Sequence, residues 1–131
     1  MKSSDGFTVV ELLVGLVFLG IVSGIAFDRY STIQMVHRDQ DRKVAINSMH
    51  YNLQEVVKPG AGGYPRVLTA AQLTAMNAAL LTDPNGLKLG EAGSDYRYEP
   101  TGCNGGDICS GYTLRANLEL EQDFVKTPPT S

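Results

Sequence analysis

One run of apolar residues near the start of this chain limits its possible folds more than anything else in it. From Phe7 to Phe27 the sequence reads F-T-V-V-E-L-L-V-G-L-V-F-L-G-I-V-S-G-I-A-F, and Glu11 is its single ionisable side chain. As an α-helix that run spans about 32 Å at 1.5 Å per residue, and a bilayer core is about 30 Å thick. Asp28, Arg29 and Tyr30 follow, a charged pair and an amphipathic ring of the kind found at a membrane interface. Residues 7–27 are therefore expected to cross a membrane as one helix. Residues 1–6 form a short polar leader carrying Lys2.

Nothing in the sequence stops the helix at the interface. The first proline is Pro59. Ile33, Val36, Val44, Ile46, Met49, Leu53, Val56 and Val57 recur mostly at three- and four-residue steps, with Ile46, Met49, Leu53 and Val56 the most regular. That pattern predicts a helix with one apolar stripe, continuous from about Phe7 to Lys58 and ended by Pro59-Gly60. The amphipathic half needs a partner domain to cover its stripe. A second helix is predicted over about 69–82. Thr69 and Gln72 have the spacing of a capping box, and Leu68 and Leu73 that of a hydrophobic staple. Asp83-Pro84-Asn85-Gly86 reads as a turn.

The remainder reads as strand, over about 95–121. Tyr112, Leu114, Ala116, Leu118 and Leu120 alternate with polar residues, the period of a half-buried strand. Asp95–Glu99 is a shorter candidate and Leu87–Leu89 a weak third. T-G-C-N-G-G-D-I-C-S-G between the two better strands can close a hairpin. The tail from Lys126 to Ser131 reads as frayed. The fold class is α+β, a long amino-terminal helix on a small antiparallel sheet, with residues 28–131 forming the globular part.

Length and charge narrow the function. The chain has 131 residues and a formal net charge of −3, which suits one domain. Without Lys2, Asp5 and Glu11, ten basic and twelve acidic residues remain beyond Phe27, with no basic block. Nucleic-acid binding is not indicated, because phosphate-backbone affinity grows with the cations in contact. His37 to Lys43 alternates in sign and reads as solvated helix pairs. His50 reads as a surface residue, and Tyr96, Tyr98 and Tyr112 as packing under the sheet. Asp83, Glu91, Asp95 and Asp107 lack the regular ligand spacing of a calcium loop, so no metal site is expected. No catalytic constellation or phosphate loop occurs, so neither an enzyme nor a cofactor is expected. Cys103 and Cys109, an even count in a segment that export would carry to an oxidising space, are expected to form a disulfide.

Glu11 needs its own account. An acidic residue at the centre of a membrane helix costs about 3 kcal/mol. Glu11 lies nearer the end, so its cost is smaller, but it still calls for a partner. Cleavage between Gly6 and Phe7 would free an amino group to supply one. Here S-D-G-F-T-V-V-E-L-L-V resembles the class III signal of type IV pilins and type II secretion pseudopilins. The resemblance implies that a prepilin peptidase cuts after Gly6, that Phe7 becomes the N-methylated first residue, and that Glu11 is the assembly glutamate. It implies copies of this chain or other pilins as partners in a helical filament. It also implies an inner-membrane assembly platform driven by an ATPase, and membrane lipid before assembly. The location implied is a single-pass inner-membrane protein with its globular domain outside the cytoplasm, then a cell-surface filament. The sharp motif covers residues 6–20. Three functions stand open: a pilus subunit, a secretion pseudopilin, and a signal-anchored binding domain that never polymerises.

Overall fold

A computed structural model describes residues 6–129. Residues 1–5 of the leader and 130–131 of the tail lie outside the described residues. The chain divides into two compact units, Met1–Met35 and Val36–Ser131.

Helix α1 runs Val9–Asn52 and continues as a π turn, Leu53–Val57, then a short helix α2, Lys58–Ala61. The helix therefore passes the proline at which the sequence predicts its end. A proline inside an α-helix loses a hydrogen bond and presses its ring on the carbonyl four residues back. The π turn relieves this conflict. The Lys58 amide donates to the Leu53 carbonyl, five residues back, and Pro59 falls in the first turn of α2, where proline is tolerated. Gly62 then ends the helix with φ 75°, its amide donating to the Lys58 carbonyl at 2.9 Å, the usual glycine stop. At Gly63 a Cβ would lie 2.5 Å from Ile108 Cγ2 and 2.8 Å from the Cys109 carbonyl oxygen. Only glycine lets the chain pass this close.

In the second unit three antiparallel strands, β2 (Tyr96–Thr101), β4 (Gly111–Ala116) and β5 (Phe124–Lys126), stand in the order β2-β4-β5. A two-residue pair, β1 (Tyr64–Pro65) and β3 (Ile108–Cys109), stands apart from them. The core is built from Ala45, Ile46, Met49 and Leu53 of the helix against Tyr96, Tyr112, Leu114 and Ala116 of the sheet. The expected α+β layout, a long amino-terminal helix with a small antiparallel sheet, is present. The disulfide joins Cys103 to Cys109 within the β2–β4 connection.

The second helix predicted over 69–82 does not form. Its start does: the Gln72 side-chain oxygen accepts from the Thr69 amide at 2.9 Å, as a capping box requires. The backbone then closes only three-residue turns, Gln72 to Thr69 and Leu73 to Ala70. Asn77 interrupts with its own cap, accepting from the Ala79 amide at 2.9 Å, and starts a 3₁₀ turn at Ala78–Leu81. A helix this short gains little from propagation, and Asn side chains compete for backbone donors. Leu68, Leu73 and Leu81 are buried in the core one by one.

The strands differ from expectation at their ends. Burial alternates along β4 as predicted but stops at Ala116; Leu118 is half-buried and Leu120 is exposed. The amides of Glu119 and Leu120 donate to the Asp39 carboxylate at 2.8 and 3.0 Å. A side chain thus takes the amides that a longer strand would offer. Leu87–Leu89 forms no strand, only a bridge between Thr82 and Lys88. Lys126, placed in a frayed tail by the sequence, pairs with Leu114 in β5.

Candidate functional site

In the amino-terminal unit residues 6–30 find no cover among the described residues. Helix α1 is entered through Thr8, whose hydroxyl accepts from the Glu11 amide at 3.2 Å and whose carbonyl accepts from the Leu12 amide at 3.1 Å. Thr8 is thus the N-cap and Glu11 the third helical residue, the T-x-x-E spacing of a capping box. A carboxylate in the first turn also lies beside unpaired amides and the positive end of the helix dipole. Glu11 therefore has a local role in starting the helix. The sequence held this signal in Thr8 and Glu11, hidden by the membrane context.

Gly6 and Phe7 precede that cap, both exposed, Phe7 at 81%. Every residue from Gly6 to Tyr30 is exposed. The most apolar eighteen-residue window of the helix has a mean hydropathy of 2.5, and none of it is buried. This is one helix long and apolar enough to cross a membrane. Gly20 and Gly24 lie four apart within it, and a Cβ on either would meet no atom within 4 Å. Each lowers helix propensity by about 1 kcal/mol relative to Ala, and among the described residues no contact requires either. Gly6, Phe7 and Glu11 thus lie together at one end of α1, while Cys103 and Cys109 belong to the other unit.

The second unit holds an ion cluster that the sequence did not reveal. Arg42 is 2% exposed. Its Nη1 donates to Asp39 Oδ1 and Glu119 Oε1, both at 2.8 Å, and its Nη2 to Asp95 Oδ2 at 2.7 Å. Arg38 grips Glu119 through Nε and Nη2 at 2.6 Å, and Lys43 holds Glu121 at 2.8 Å. The stretch from His37 to Lys43 is therefore not a solvated face; Asp39 and Arg42 are buried. Alternating sign alone cannot separate pairs along a helix from pairs across a fold, and the partners across the fold lie 53 to 81 positions away.

The cluster sets its own ionisation. Hydrogen bonds from Arg38 and then Arg42 hold the Glu119 carboxyl down to about 2. Burial pushes the Asp39 carboxyl up, but the amides of Glu119 and Leu120 and the Arg42 guanidinium outweigh it and leave it lowered. Asp83 is also lowered: the amides of Asp95, Leu87 and Asn85, each donating at 2.9 Å, outweigh its burial. Asp83 and Asp95 thus meet, with protein donors on both carboxylates, since Asn85 also donates to Asp95. Glu91 accepts from the Lys88 amide at 2.8 Å, and the Asp107 carbonyl accepts from the Arg66 amide. Among the described residues no three His, Cys, Asp or Glu side chains are grouped so as to hold a metal ion.

A second network links helix to sheet. Tyr64 Oη donates to Gln54 Oε1 at 3.0 Å, Gln54 Nε2 donates to Tyr112 Oη at 2.9 Å, and Tyr112 Oη lies 2.8 Å from His50 Nδ1. Which of Tyr112 and His50 donates in that contact follows the imidazole tautomer. His50 is thus half-buried rather than at the surface. Burial, with the nearby Lys126 charge, pushes its pKa down.

Both networks make stability fall with acid. The folded pKa of His50 lies below its ordinary 6.5, so its contribution is complete above 6.5 and is lost as pH falls toward the folded value. Asp39, Asp83 and Glu119 have folded pKa values below their ordinary 3.8, 3.8 and 4.5. Their contribution is complete above those values and is lost as pH falls through the folded ones. The urea midpoint of the full chain in detergent is expected to decline slightly as pH falls below about 6.5 and steeply between about pH 4 and pH 2. A midpoint flat from pH 5 to pH 2 would overturn the assignment.

The chain matches no family model and no solved structure.

Proposed function

We propose that this chain is a structural subunit of a type IV pilus or pilus-like filament, polymerised through its amino-terminal helix after cleavage between Gly6 and Phe7. The observation that carries the reading is the exposure of every residue from Phe7 to Phe27, nearly all of it in a helix that starts at Val9, directly after Phe7 and the Thr8 cap. So large an apolar surface is not stable in water. It needs lipid before assembly and the same segment of other copies afterwards. Gly20 and Gly24 support this, because glycines four apart let helix backbones approach closely in a membrane.

Glu11 then does two things. It helps start its own helix, and in the filament it neutralises the Phe7 amine of a neighbouring copy. A slip by one subunit would leave a charge unpaired among apolar helices. A head-to-tail contact of this kind does not close on itself and so propagates. A prepilin peptidase, an assembly platform driven by an ATPase, and lipid are the partners this role requires. A secretion pseudopilin would use the same chemistry in another machine.

The mature chain is expected to begin at N-methyl-Phe7, and mass spectrometry of the native amino terminus checks it. The independent core of Val36–Ser131 favours, as the second reading, a folded domain that is merely tethered. A native chain that starts at Phe27 would sink the filament reading, and one that retains residues 1–6 would favour the tether.

A further inference from the structure

In the segment Leu118–Asp123 an exposed Leu120 is followed by two partly exposed acids, Glu121 paired with Lys43 and Asp123 4.0 Å from Arg115. The segment lies outside the strands. Leu120 is 46% exposed, and the carboxylates of Glu121 and Asp123 are 58% and 46% exposed. The segment is nonetheless held firmly. Asp39 accepts both the Glu119 and Leu120 amides, Arg38 and Arg42 hold Glu119, and Lys43 holds Glu121. Leu120 is therefore presented at a fixed place with two acids following it, and little ordering remains to be done on binding.

The same unit carries a surface of opposite character. A groove of about 510 Å³ is lined by Arg66, Val67, Leu68, Lys88, Leu89 and Tyr98. Val67 is 68% exposed at its rim. Among the described residues neither Arg66 nor Lys88 has an ion-pair partner. The one acid of the groove, Glu91, is turned to the Lys88 amide.

The two surfaces sit at different levels along the helix. The acidic segment is tied to residues 38–43. In the groove Tyr98 donates to the Pro65 carbonyl and stacks on Tyr112, which is tied to His50 and Gln54. That is roughly three helical turns, about 16 Å, further along.

We propose that the groove receives the Leu118–Asp123 segment of a second copy of this chain. Leu120 fills the apolar floor, and Glu121 and Asp123 meet Lys88 and Arg66. Because groove and segment differ in level, two copies with parallel helices join head to tail, and the contact repeats without closing. Each contact is weak alone and acts by repetition. The proposal rests on the filament reading for its setting, not for its chemistry.

Cysteine pairs test it. The native cysteines are bonded to each other, so an added pair reports on itself. The full chain carrying both Val67→Cys and Leu120→Cys is expected to give a ladder of covalent multimers under mild oxidation, while each single variant gives none. Arg66→Glu with Lys88→Glu is expected to cut ladder yield about tenfold by placing like charges together, and Glu121→Lys with Asp123→Lys to restore it. Filaments without the ladder overturn this contact and leave the filament reading standing. A ladder in detergent without filaments keeps the contact and sinks the filament reading. Covalent dimers with nothing longer overturn the head-to-tail arrangement.

Discussion

Replacing Arg42 with Ala is expected to lower the stability of the folded domain by about 3–5 kcal/mol, the usual cost of removing one partner from a buried ion pair. The guanidinium is 2% exposed and binds three carboxylates from three separate segments. Without it Asp39 is left buried with only amide donors, Asp95 keeps only Asn85, and Glu119 keeps only Arg38. Small domains hold about 5–15 kcal/mol in all, so this loss removes a large share. Arg42→Lys separates charge from geometry. Lys keeps the charge but has no planar fork to reach three acceptors, so it is expected to recover only part of the loss. Urea unfolding of the full chain in detergent, followed through the buried tyrosines, measures both. A cost below about 1 kcal/mol for Arg42→Ala would be the value of an exposed pair and would remove the cluster from any account of stability.

The second large effect concerns Glu11, where two roles must be separated. Glu11→Gln keeps a residue that suits the third position of a capping box but has no charge. Glu11→Ala loses both. Neither touches the core of Val36–Ser131, so that domain is expected to unfold as in the parent chain. If charge pairing with the Phe7 amine sets assembly, both variants fall out of filaments to the same extent, by about tenfold or more. If the carboxylate serves only to start the helix, Gln is incorporated normally and Ala poorly. Quantitative mass spectrometry of purified filaments from cells expressing parent and variant together gives the ratio. Normal incorporation of Glu11→Gln would end the pairing argument.

What the sequence disclosed followed from local periodicity. The apolar run became a helix, and Ile46, Met49 and Leu53 became core because three- and four-residue steps put them on one face. Val56 belonged to the same stripe by counting, yet it is 38% exposed while Val57 packs on the core. The π turn adds a residue and rotates everything after it, and no spacing rule anticipates that. The capping box at Thr69 and Gln72 was present and correct, but no helix followed, because Asn77 began a new turn. The apolar residues of 112–120 were correctly spaced for a strand, but Asp39 took the amides beyond Ala116. The first two misses are local, a π turn at Leu53–Val57 and a side-chain cap from Asn77 two residues away, and only the third is due to a partner distant in sequence. The candidate assembly residues are the reverse case. Gly6, Phe7 and Glu11 are adjacent in the chain, and their roles depend on motif and solvent rather than on tertiary packing.

The ion cluster also bears on how the chain is made. It joins Arg38, Asp39 and Arg42 to Glu119 across 77 to 81 positions. Translation releases the amino end first, and contacts between residues far apart in sequence form late. The amphipathic half of α1 therefore leaves the ribosome long before the segment that neutralises its buried charges. Until Asp95 is made Asp39 and Arg42 have only each other, and Ile46, Met49 and Leu53 have no sheet to cover them. A nascent chain cut anywhere before Glu119 therefore lacks the carboxylate that Arg38 and Arg42 share and the two amides that Asp39 accepts.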